Sequence, residues 1–171
     1  MLPPEHAKQL LNLMIEKIKE LNDHEIVTRT YCNKLFVMKD GTGIGIPLNF
    51  ENQEQKEMMF DLTNELLKKL KPDMAIHASE AWIVTRKKNK DFDMENLPVP
   101  SESPDRKECY IICAHTHGYS RTIILPFVHL ADSSIQFEKE IDYDTDSGLT
   151  SYDKLFNGVF AESMKTMRDL Q

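Results

Sequence analysis

Apolar residues recur along the chain with two different periods, and the switches between those periods mark out its elements. Ala7, Leu10, Leu11, Met14, Ile15, Ile18 and Leu21 follow a 3.6-residue repeat, with Lys8, Glu16, Lys17, Lys19 and Glu20 opposite. That pattern predicts an amphipathic helix over Glu5 to Leu21. Pro3 and Pro4 stand where proline is tolerated at a helix start, and Asn22-Asp23-His24 reads as the exit. Leu35-Phe36-Val37-Met38 and Ile44-Gly45-Ile46-Pro47-Leu48 then read as two strands. Between them Asp40-Gly41 suits the positive φ angles of a hairpin turn. Gly41, Gly43 and Gly45 imitate the spelling of a phosphate loop, but a strand ending in Pro47 follows where such a loop needs a helix.

A second helix is expected over Asn52 to Lys69. Met58, Met59, Leu62, Leu66, Leu67 and Leu70 form its apolar stripe, read as core packing. Lys68, Lys69 and Lys71 complement its C-terminal dipole, and Pro72 stops it. Strand-like runs follow at Met74 to Thr85, Lys107 to His115, Arg121 to Leu130 and Ile135 to Tyr143. His117-Gly118 and Ala131-Asp132-Ser133-Ser134 are turns too short for a parallel crossover, so these strands are expected to run antiparallel. The one long connection, Arg86 to Asp105, is polar and contains prolines. A last helix is expected from Ser151 to Arg168. The order predicts an α+β fold in a single domain, residues 1–171. Its form is a two-layer sandwich with a mainly antiparallel sheet, a hairpin plus a four-strand meander, and three helices.

Composition changes this picture little. A chain of 171 residues buries enough surface to fold without disulfides or structural metal. Its net charge of −7 disfavours nucleic acid and anionic lipid as partners. No run approaches the ~18 apolar residues that span a bilayer. The N-terminal stretch lacks a basic flank, so it does not read as a signal peptide. Cys109 and Cys113, four apart on one expected strand, would lie about 13 Å from each other and cannot bridge. Together with Cys32 they read as reduced thiols, which places the protein in the cytoplasm.

Three constellations could carry chemistry. Glu80 falls inside Ser79-Glu80-Ala81-Trp82, in a run that otherwise reads as buried sheet. A charge there must be paired or functional, and Arg106 and Glu108 at the start of the next strand are the candidates to join it. As a catalytic set, Glu80, Arg106 and Glu108 would offer a general acid or base. Cys113, His115 and His117 share a parity, so a regular strand presents them on one face as a candidate metal site suited to zinc. A His-x-His pair with a strand glutamate is similar to zinc-dependent isopeptidases of the JAMM class. That class places an aspartate where this chain has Val128. Asp142 to Asp153 alternates aspartates like a calcium loop, but its glycine comes one position late and Asp153 replaces the closing glutamate. Arg86-Lys87-Lys88-Asn89-Lys90 is the one basic cluster, and acids follow it at once.

In Ser79-Glu80-Ala81-Trp82 and in Pro104-Asp105-Arg106-Lys107-Glu108, the chain resembles a group of small bacterial and phage proteins. These carry a Ser-Glu-Ala-Trp strand and a Pro-Asp-Arg-x-Glu entry to the next. The resemblance implies a bacterial or phage origin and a structural coupling of Glu80 with Arg106, and it brings no activity with it. The expected function is that of a non-enzymatic binding or assembly protein without cofactor, engaging a protein partner or a second copy of itself. The alternative is a metal-dependent hydrolase using zinc, the His-x-His pair and Glu80.

Overall fold

In the computed structural model, the residues described are 4–84, 103–116 and 119–145. The first helix, α1, spans Pro4–Thr28. It runs seven residues past Leu21, the expected last residue, because Asn22 and Ile26 continue the inward row begun by Leu11, Ile15 and Ile18. The helix stops at Arg29, which adopts φ 56°. There the Thr30 N–H closes on the Glu25 carbonyl at 2.8 Å, a left-handed C-terminal cap.

β1 (Lys34–Lys39) and β2 (Thr42–Pro47) form the expected hairpin, with Lys39 opposite Thr42. Asp40 and Gly41 both have positive φ, 49° and 77°, as a two-residue primed turn requires. α2 (Gln53–Leu70) is capped by the Asn52 side chain, which accepts from the Gln55 N–H, and it ends at Lys71 in the left-handed region ahead of Pro72. β3 (Met74–Ile83), β4 (Lys107–Thr116) and β5 (Tyr119–His129) follow.

The last run divides in two. β6 (Ile135–Phe137) pairs with residues 127–129 of β5, and β7 (Ile141–Thr145) pairs with residues 120–124. Pro126 accounts for the break. A residue's N–H and carbonyl point to the same side of a strand, and the Pro126 carbonyl accepts outward from the Glu138 N–H at 2.8 Å. Proline therefore withholds the donor that a continuous outer strand would need.

The hairpin and the meander join in one antiparallel, seven-stranded sheet of order β2-β1-β3-β4-β5-β6, with β7 also on β5. The α+β class and the antiparallel sheet thus stand as expected. Two helices lie among the described residues, and the third expected helix, Ser151 to Arg168, falls outside them. α1 covers one face of the sheet, where Leu11, Ile15, Ile18 and Ile26 meet Met74, Ile76, Ala78, Tyr110, Ile112 and Ile123. α2 packs on the opposite face, where Leu67 meets Leu35, Val37, Leu48 and Ala75.

The α2 stripe needs correction. Met58 and Leu62 are 55% and 61% exposed and Leu66 is exposed too, whereas Thr63 and Leu67 are buried. Rows 58-62-66 and 59-63-67 stand about 100° apart on the helix, and the sheet accepts only the second.

Candidate functional site

Register decides which candidates can meet. On β3, Ile76 and Ala78 face α1, so Glu80 and Trp82 share that face by alternation. On β4, Cys113 lies opposite His77 and His115 opposite Ala75, on the other face. The sheet therefore separates Glu80 from Cys113 and His115, and the glutamate does not join them in one zinc site. His117 lies outside the described residues. Among those described, no group of three His, Cys, Asp or Glu side chains is placed to hold a metal ion. Burial also pushes the Cys109 and Cys113 thiols up to about 12, so both are protonated at neutral pH. They pack with Ile111 beside Ala81, Ile83 and Ile124, as small apolar side chains do. The basic cluster Arg86 to Lys90 and the calcium-loop candidate from Asp146 onward lie outside the described residues.

What the fold does assemble is a cleft on the α1 side of the sheet, just past the end of that helix. β1 pairs with β3 only as far as Ala78, and α1 stops at Thr28. Among the described residues, the far ends of β3, β4 and β5 consequently project beyond the cover of α1 and β1. The cleft encloses about 360 Å³, lined among others by Arg29, Tyr31, Glu80, Trp82, Glu108 and His129. An adjoining hollow of about 400 Å³ shares Tyr31 and Glu80 with it. Below it lies an aromatic cluster in which Phe137 meets Tyr110 and Phe127 edge-on, at centroid distances of 6.4 and 6.1 Å. Tyr110 is locked by its hydroxyl, which donates to Asp23 at 2.6 Å.

The charged residues of this cleft are arranged by cross-strand neighbourhood. Trp82 lies opposite Glu108, and Glu108 opposite Phe127, so Glu80 and His129 are the diagonal neighbours of Glu108. His129 Nε2 stands 2.7 Å from Glu108 Oε2. The Arg106 guanidinium lies over the Trp82 ring, 4.7 Å from its centroid. The expected coupling of Glu80 with Arg106 is therefore replaced by an Arg106–Trp82 stack. Glu80 is exposed, its N–H is capped by the Asn33 side chain at 3.0 Å, and its carboxylate has no hydrogen bond or ion pair among the described residues. Partial desolvation and then the neighbouring Glu108 charge raise its pKa above the usual 4.5, with His129 pulling the other way.

The sign of that shift sets a prediction. A carboxyl whose folded pKa is raised favours the native state most when protonated, below pH 4.5. The benefit is lost as pH climbs through the raised value. Glu80→Gln is expected to melt with wild type near pH 4 and above it at pH 7. Melting curves at both pH values check this, and an equal offset at both would refute it.

Of the residues singled out from the sequence, Glu80, Glu108 and Arg106 do converge. His129, Tyr31 and Arg29 were missed. The parity of His129 with Phe127 was visible, but the register that sets both beside Glu108 was not. Compared with protein-family models, with curated proteins and with solved structures, the chain matches none.

Proposed function

We propose that this is a non-enzymatic binding protein and that the cleft beyond the end of α1 receives its ligand. The observation that carries this reading is the Glu80 carboxylate. It has no ion-pair partner among the described residues, it sits beside a second acid, and it lines a concave surface walled by Trp82 and Tyr31. A partly desolvated carboxylate held beside a second acid on a concave surface offers a charge that a cationic group of a ligand would satisfy. The aromatic cluster and the Arg106–Trp82 stack supply a firm floor and wall, which lowers the ordering penalty of binding.

Trp82 is the single tryptophan of the chain, and at 39% exposed it stands within reach of an occupant. Its emission is expected to change saturably when the protein is titrated with a panel of small polar metabolites, and to stay flat in Glu80→Ala. A flat response to the whole panel, by emission and by calorimetry, would refute the reading.

One observation favours a second reading. The Glu108–His129 contact at 2.7 Å orients an imidazole as acid–base sites do. Among the described residues lining the cleft no serine or threonine stands beside His129, and the one thiol, Cys109, is held protonated by burial. A bound probe that is chemically altered in a His129-dependent way would favour this second reading.

A further inference from the structure

Two charges of opposite sign line the same cleft without an ion-pair partner among the described residues, and binding of a plain cation or a plain anion uses only one of them. Glu80 is the acid. Arg29 is the base: it is exposed, and among the described residues its guanidinium has no acid partner or side-chain hydrogen bond. Arg29 and Glu80 line the same cleft without forming an ion pair with each other.

The backbone adds an independent observation. Arg29 occupies the residue after α1 with φ 56°, the left-handed region where glycine or asparagine is the cheaper choice. A long cation is kept there at the expense of local strain, a combination that clusters at ligand-contacting positions. Trp82 with Arg106 stacked on it, and Tyr31 with Lys34 held 5.0 Å over its ring, are rigid aromatic surfaces beside these charges.

We infer that the cleft takes a free α-amino acid, its ammonium on Glu80 and its carboxylate on Arg29, with the side chain against the aromatic wall. This rests on the binding reading above and names the ligand class. The volume of about 360 Å³ accommodates a molecule of that size with room for bound water.

The test compares three probe sets on the full chain by Trp82 emission and calorimetry. They are the free amino acids, the matching amines that lack the carboxylate, and the matching acids that lack the ammonium. At least one amino acid is expected to bind about tenfold or more tighter than both of its halves, since each charged hydrogen bond contributes on that scale. Arg29→Gly relieves the strained position, so it is expected to fold with an unchanged or higher melting temperature. It should bind the amino acid no better than wild type binds the amine. Glu80→Gln should reduce the amino acid to the level of the acid. If an amine or an acid binds as tightly as its amino acid, or if Arg29→Gly leaves amino-acid affinity intact, the inference fails while the binding reading survives. If no probe in any set binds, the inference fails, and the binding reading is decided by the metabolite panel above.

Discussion

Glu25→Ala is expected to destabilise the protein by about 3 kcal/mol, the usual scale for stranding a buried charge. Glu25 lies in the last turn of α1, where an acid opposes the helix dipole, and no basic residue accompanies it there. Its presence is explained by Lys34, the first residue of β1, which is buried and whose ammonium pairs with Glu25 Oε2. The same ammonium lies 5.0 Å over the Tyr31 ring. Removing the carboxylate leaves that buried charge with, among the described residues, only an aromatic face to stabilise it. The joint replacement Glu25→Leu with Lys34→Met is expected to recover most of the loss, because neither partner is then stranded. Urea unfolding of the two variants decides the matter. A loss below about 1 kcal/mol in Glu25→Ala would mean that water already solvates the pair. Because Tyr31 lines both hollows, Glu25→Ala should also loosen the cleft.

The parts of this fold legible from sequence are those that local chemistry determines. Asp40-Gly41 specifies its turn through two positive φ angles, Asn52 and Pro72 bracket α2, and short turns force antiparallel neighbours. What stayed hidden depended on tertiary register. Periodicity identified both rows of α2 as apolar, but only the packed sheet selects Thr63 and Leu67 over Leu62 and Leu66. Parity identified Glu80 with Ile76 and Cys113 with His115, but not which of these sets shares a face. The antiparallel pairing of Cys113 with His77 decides that, and it removes the joint zinc site.

The cleft was half legible for the same reason. A glutamate beside a tryptophan in an apolar run marks a position where burial and charge conflict, and that conflict was visible along the chain. Its resolution was not. The expected answer was a neighbouring guanidinium. The structure ends the cover of the sheet early, so Glu80 reaches water and Arg106 stacks on Trp82. Neither the length of α1 nor the end of β1 pairing at Ala78 can be read from the residues around Glu80.

Asn22 presents the reverse case, a polar residue read as a helix exit that is fully buried. Its side-chain Oδ1 and Nδ2 are both inaccessible and neither finds a hydrogen-bond partner among the described residues. On α1 it stands in the row of Ile15, Ile18 and Ile26, all in the core. An unsatisfied buried amide costs about 1–3 kcal/mol, and asparagine is a poorer helix former than leucine by some tenths more. Asn22→Leu is therefore expected to stabilise the fold by about 1–2 kcal/mol, allowing for the larger volume of two methyl groups than of the amide oxygen and nitrogen they replace. Asn22→Ala, which adds no bulk, separates the two effects and should come out near neutral, unlike the loss of about 2–5 kcal/mol from truncating a core leucine. Chemical unfolding of both variants is the measurement. A loss above about 2 kcal/mol in both would refute the unsatisfied amide and point to one held by ordered water. Asn22 lies on α1 directly before Asp23, whose carboxylate anchors Tyr110 beneath the cleft. A stabilised Asn22→Leu that binds its ligand less well would place the strain of this helix end in the service of the site.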